Sequence, residues 1–229
     1  MRRRLFLILT AAVLLVGCST ASKQQATSSG ENDEKKADLQ AVVDQATIAA
    51  REFRGQEDVD ALLARASGVI IYPNILKGAF VFGGEGGTGV LLSRTDAGGW
   101  SSPAFMTYGA ASFGLQAGVE SASVLMIIMN DQALQRFANG EVELGTNISV
   151  AAGEGFKGKP LSTDQLSDVY YFARAKGAFA GLNLKGGVNQ PRPGLNADYY
   201  GQEAPAPAIV IDRTITTDDA EALQEALSS

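Results

Sequence analysis

Histidine is absent from all 229 residues. Its absence excludes Ser-His-Asp and Cys-His catalytic assemblies, the usual zinc sites and any imidazole pH switch. A single cysteine, Cys18, rules out an intramolecular disulfide, a CxxC redox pair or a cysteine-ligated iron–sulfur cluster. Charge is sparse as well: 19% of residues are charged, and the net value of −6 argues against a general nucleic-acid binder. Glycine, by contrast, is abundant at 26 residues, and 45% of the chain is apolar. Such a chain can bury a sizeable core, and its length allows one domain or at most two, dominated by turns and strands.

Arg2, Arg3 and Arg4 precede a twelve-residue apolar run, Leu5 to Val16. The run is too short to cross a hydrocarbon core of ~30 Å as a helix, so residues 1–17 read as a signal peptide. It ends in Leu15-Val16-Gly17-Cys18, which resembles the bacterial lipobox, where signal peptidase cuts before the cysteine and the thiol is diacylglycerylated. That resemblance implies a lipoprotein acylated at Cys18; an ordinary secretory signal or an inner-membrane stub is the alternative. Cleavage removes three arginines and takes the net charge from −6 to −9. Ser19 after the cysteine resembles the enterobacterial sorting signal for the outer membrane, which implies a periplasm-facing, lipid-anchored envelope protein.

Residues 19–36 contain no apolar side chain larger than Ala, so the stretch 18–36 is expected to be the acylated cysteine and a flexible tether. A single domain is expected over 37–229. Leu39, Val42, Val43, Ala46, Ala49, Ala50 and Phe53 follow helical spacing, and Val59, Leu62, Leu63 and Ala66 repeat it after Gly55. Beyond Gly68 the pattern predicts short strands at 69–72, 79–82, 90–92 and 124–129, with alternation between Leu115 and Leu125. A helix is expected near 131–138, another strand at 177–184 and an amphipathic helix at 218–227. Strands in succession without regular helical crossovers predict an α+β fold: a largely antiparallel, glycine-rich, barrel-like sheet flanked by amphipathic helices.

Gly84-Glu85-Gly86-Gly87-Thr88-Gly89 matches GxGxxG, but Val90-Leu91-Leu92 after it is β-like, so no helix N-terminus is available for a pyrophosphate. A glycine hairpin allowing tight backbone packing is the favoured reading, with no nucleotide or other cofactor. Ser112 in Ala-Ala-Ser-Phe-Gly has the look of a nucleophile elbow without a histidine to serve it. Glu85, Glu120, Glu154 and Asp168 are available for carboxylate chemistry, and a distant Ser-Lys pair is a further hydrolytic option; neither has a motif behind it, and the chain is read as a non-enzyme. Asp58/Asp60 and Asp218/Asp219/Glu221 lack calcium-loop spacing. Lys77, Arg174, Lys176 and Lys185 stand beside Gly-rich apolar sequence, where contact with lipid phosphates and ordinary surface charge are both open readings.

Several patches together resemble the SYLF domain family: Ala66 to Pro73, Lys77 to Phe80, Gly87 to Leu91, Trp100 to Phe105, Gly114 to Glu120, Phe172 to Leu182, and Leu195 to Gly201. The order of these patches covers most of residues 40–202. The resemblance implies a non-catalytic, lipid-binding domain, with Arg174 and Lys176 at the basic positions that family members carry before the Phe-Ala-Gly-Leu run. Eukaryotic members bind phosphoinositides and yeast members bind actin. This chain departs from them in its acidity and in the mixed charge of its first helix, so neither ligand is carried over. The expectation is a phospholipid-binding lipoprotein with Arg174 and Lys176 at the headgroup, Lys77 and Lys185 as secondary candidates, and Phe179, Phe80 and Phe82 toward acyl chains. The alternative is an envelope interaction protein that binds another protein and uses lipid only as an anchor.

Overall fold

The computed structural model describes residues 21–152, 167–176 and 184–228, leaving aside the side chains of 21–29, 78–83, 112–120, 175 and 176. Cys18 and Phe179 lie outside the described residues, as does the strand expected at 177–184 apart from Leu184. Helix α1 (Ala21–Phe53) is followed by α2 (Glu57–Leu63), the long strands β1 (Gly68–Ser93) and β2 (Ala104–Ile128), and α3 (Asp131–Asn139). Then come β3 (Val142–Glu143), β4 (Val150–Ala152), β5 (Val169–Lys176), β6 (Val188–Pro191), α4 (Pro193–Tyr200), α5 (Ala206–Val210) and α6 (Glu221–Ser228). The fold is α+β, as the sequence predicts.

Strand β2 is the centre of the sheet. It pairs antiparallel with β1 from Gly68↔Ile128 to Leu91↔Ala104; its other edge takes β6 near Met106–Gly109 and β5 along Ser121–Ile128. β3 joins β6 antiparallel, and β4 alone runs parallel, beside β5. The short strands expected at 69–72, 79–82 and 90–92 are parts of one continuous β1. Pro73 and the glycines read as strand ends, yet they coincide with irregularities inside the strand: the register shifts between Tyr72 and Ile75 and again between Ala79 and Val81. Bulges of this kind bend a strand without ending it.

The bends fold β1 back over itself. The Arg94 N–H donates to the Ser67 carbonyl (2.8 Å), and Ser67 N–H to the Ile128 carbonyl (2.9 Å), which ties both ends of β1 to the end of β2. The halves of β1 meet backbone to backbone: a Cβ on Gly87 would collide with the Asn74 carbonyl, and one on Gly89 with the Ile71 carbonyl and the Tyr72 ring. The expected hairpin at Gly84–Gly89 is thus extended strand, while the tight packing inferred for it is present.

Period-two alternation gives the sheet two apolar faces. Val69, Ile71, Leu125, Ile127, Tyr170 and Phe172 pack under α1, α2 and α6 through Val43, Ala46, Phe53, Leu62, Leu63 and Leu227. Ile70, Tyr72, Met106, Val124, Met126 and Tyr171 form the other face, with Phe137 of α3 and Ile209 of α5. Asn130 caps α3 by accepting from the Ala133 N–H (2.8 Å). Pro193 opens α4 and left-handed Gly201 (φ 66°) closes it, so buried Asn196 can accept from the Phe105 N–H (2.7 Å).

Residues 21–36, expected as a tether, are helical in α1. Their Ala, Gln, Glu and Lys are good helix formers that extend the packed helix beginning at Leu39, with a Glu31–Lys35 pair (3.0 Å) one turn apart and Lys36 paired with Asp219 (2.9 Å). The C-terminal helix begins at Glu221, three residues later than expected.

Candidate functional site

The predicted basic residues divide by register. Leu76, Ser121 and Lys176 form one row across β1, β2 and β5; Ser123 and Arg174 pair two residues further along β2. Arg174 is exposed, and its guanidinium donates to the Glu52 carbonyl in the last turn of α1. It thereby satisfies a carbonyl that the helix end leaves without a partner. Lys77 pairs with Glu120 in the adjacent row, so alternation places it on the opposite face of the sheet from Leu76 and Arg174. Lys185 is exposed in the turn before β6, its aliphatic stem beside Gly145. The fold therefore brings Arg174 and the Lys176 position onto one face, with Lys77 behind them and Lys185 in a separate turn.

Two apolar side chains are exposed in neighbouring segments. Ile48 is 57% exposed and Leu76 50% exposed, the large hydrophobic side chains left open among the described residues. Ile48 lies one helical turn before Glu52, the residue Arg174 touches, and Leu76 lies two rows from Arg174, on the same face of the sheet.

The carboxylates weighed for hydrolysis have structural partners where they are described. Glu85 accepts the Tyr108 hydroxyl (2.8 Å), and burial followed by that carboxylate raises the phenol's pKa. The neighbouring Tyr72 hydroxyl donates to buried Asn189 Oδ1 (2.8 Å), joining residues 117 apart in sequence. Asp168 accepts from the Ser149 hydroxyl (2.7 Å), the Ser149 N–H (3.0 Å) and the Asn130 amide (2.9 Å). Burial pushes its pKa up, but these hydrogen bonds and the charge of Arg136 outweigh it and hold the carboxyl below its usual value. Among the described residues no group of three or more Cys, Asp or Glu is placed to hold a metal ion, and no helix is long and apolar enough to cross a membrane.

A second basic region escapes the sequence reading. Arg54, Arg65 and Arg94 line a groove of about 490 Å³ between α2, the turn after β1 and the end of α6. Arg94 forms an isolated bridge with Trp100, and its guanidinium lies 3.9 Å from the centre of the indole. The three arginines come from separate segments with no shared motif. One signal was nevertheless present: the turn sequence Asp96-Ala97-Gly98-Gly99 places Arg94 and Trp100 across a hairpin, where a cross-strand cation–π pair is expected.

A match to the Ysc84 family, described as Las17-binding protein actin regulator, covers residues 109–229, more than half of the chain. Protein YSC84 of Saccharomyces cerevisiae is 31% identical over 173 residues, covering 73% of this chain and 37% of that protein. LAS seventeen-binding protein 3 of the same yeast is 31% identical over 157 residues, covering 66% and 34%. SH3 domain-containing YSC84-like protein 1 of Xenopus laevis is 29% identical over 189 residues, covering 80% and 56%. The chain thus spans between 34% and 56% of the length of these relatives, whose names describe binding and domain content, not a reaction. No solved structure matches the chain. The order of patches along the sequence and the match across its C-terminal half agree: the chain belongs to the Ysc84 (SYLF) family.

Proposed function

We propose that this is a lipid-anchored, non-catalytic envelope protein whose SYLF domain binds phospholipid, and that Cys18 carries the anchor at the outer membrane. The supporting observation is that exposed Leu76 shares a sheet face with Arg174 and its row with the Lys176 position, while exposed Ile48 lies one helical turn before Glu52, which Arg174 meets. Apolar groups beside cations suit the boundary between headgroups and acyl chains. A partner protein is the second reading, favoured by the Las17-binding name of one relative.

A variant beginning at Ser19 separates the two readings because it lacks the anchor. Co-sedimentation with phosphatidylglycerol-containing vesicles that weakens with added salt, and that falls in the Arg174→Gln/Lys176→Gln double variant, supports the phospholipid reading. No sedimentation with either neutral or anionic vesicles overturns it and leaves the anchor as the membrane contact. Mass spectrometry of the mature protein tests the anchor separately, through the expected acylated Cys18 at its N-terminus.

A further inference from the structure

We propose that the groove lined by Arg54, Arg65 and Arg94 binds a phosphate-bearing anion, at a site distinct from the face that carries Arg174. Along β2 the Gly68↔Ile128 row, next to Arg94, is five residues from the Ser123↔Arg174 row, about 17 Å of strand at the usual rise, while Arg54 follows two residues after Glu52, whose carbonyl Arg174 meets. The groove and the Arg174 face are therefore separated along β2 but approach each other at the end of α1, and substitutions at Arg65 and at Arg174 tell them apart.

Charge in the groove is unbalanced. Its one acidic side chain, Asp60, is engaged at the α1–α2 junction, where one oxygen meets Arg54 Nε (3.2 Å) and the other accepts from the Gly55 N–H (3.1 Å). Arg54 also donates to the Leu227 carbonyl (3.3 Å). Arg94 donates to the carbonyls of Leu63 and Gly98 and makes no ion pair with a carboxylate among the described residues. Burial, and then the like charge of Arg54, lower the pKa of Arg94. Arg65 is exposed and makes no ion pair among the described residues. Among the described residues, three guanidinium groups thus face a single side-chain carboxylate, in a chain of net charge −6.

Position is fixed as well as charge. The Trp100 ring and two carbonyls hold the Arg94 fork in place, so little side-chain freedom is lost when it meets an oxyanion. A tetrahedral phosphate offers enough oxygens to engage Arg94 and Arg65 together, in charge-assisted bonds stronger than those to neutral acceptors. The groove also has room for a small group esterified to the phosphate. A lipid headgroup and a soluble phosphate ester share this chemistry.

Trp100 is the sole tryptophan of the chain and its ring touches Arg94, so its fluorescence reports on the groove. The test titrates the intact chain with inorganic phosphate at ionic strength held constant by chloride, with phosphorus NMR line broadening as a second readout. A saturable response is expected, with apparent affinity falling about tenfold in Arg65→Gln, an exposed position whose change leaves the fold intact. Absence of both signals, or an undiminished response in both Arg65→Gln and Arg54→Gln, overturns the proposal. Vesicles of phosphatidylcholine with phosphatidylglycerol identify the source. Weaker vesicle binding by Arg65→Gln assigns the phosphate to a lipid headgroup; unchanged vesicle binding beside a lost phosphate response assigns it to a soluble ester.

Discussion

The two ends of the folded-back sheet, the one where β1 both begins and finishes and the one toward its bends, are built differently. Where β1 begins and β2 ends, Val69 to Tyr72, Val124 to Ile128 and Val169 to Phe172 are buried on both faces. Seven residues along β2, Leu76 is half exposed, Lys77 half-buried and Arg174, two pairs nearer, exposed. Helices α1, α2 and α6 cover one side of the first end, and α3 and α5 cover the other. Stability is concentrated where both faces are covered, and this leaves the other end able to present cations and apolar groups to a partner at little cost in folding.

The largest expected effect contrasts the two ends directly. Ile71→Ala, at a fully buried site, is expected to cost about 2–5 kcal/mol in denaturant unfolding, whereas Leu76→Ala is expected to stay within about 0.5 kcal/mol of the parent. Equal costs at the two positions would remove the distinction. The fold-back of β1 is probed by Gly89→Ala, which drives a methyl group into the Ile71 carbonyl and should cost about 1–3 kcal/mol. Gly109 has nothing within 4 Å of where its Cβ would stand, so Gly109→Ala serves as the control and should lower the melting temperature far less.

Smaller effects sharpen the picture. Tyr72→Phe leaves Asn189 Oδ1 buried without its donor and is expected to cost about 1–3 kcal/mol, read as a shift of the urea midpoint at unchanged slope. Asp168 gives a pH signature. Its folded pKa lies below its unfolded value, so its contribution is fully present above about pH 5 and declines as the carboxyl takes up a proton below about pH 4. Midpoints measured across that range should fall for the parent, and less steeply for Asp168→Asn.

Much of the architecture is legible in the sequence because it rests on alternation and caps. The spacing of Leu39 to Phe53 places the packed part of α1, the helix expected near 131–138 is α3, and the alternating faces of 121–124 are those observed. Strand β5 is not legible in the same way: Val169 to Phe172 are buried on both faces, so the run lacks the polar alternation that marks a half-exposed strand. The continuity of β1 is hidden too, since Pro73 and its neighbouring glycines have the composition of turns while serving as bends. On the candidate face, the sequence supplies Arg174 and Lys176 through the family pattern. It does not supply Ile48 or Leu76, because an apolar residue inside an apolar run carries no sign of whether it is covered. The Arg54–Arg65–Arg94 groove depends on three segments meeting and is visible only in the fold.

The most direct test of the account places an environment-sensitive fluorophore at single cysteines in a Cys18→Ser background lacking residues 1–17, one protein with Leu76→Cys and another with Asp96→Cys. Asp96, whose side chain is 98% exposed, stands in the turn beside Arg94, away from the proposed lipid face. The account predicts a blue shift at position 76 on phosphatidylglycerol vesicles that exceeds any shift at position 96 and is reversed by salt. A shift at position 96 with none at 76 would contradict it, because the membrane would then meet the well-covered end of the sheet.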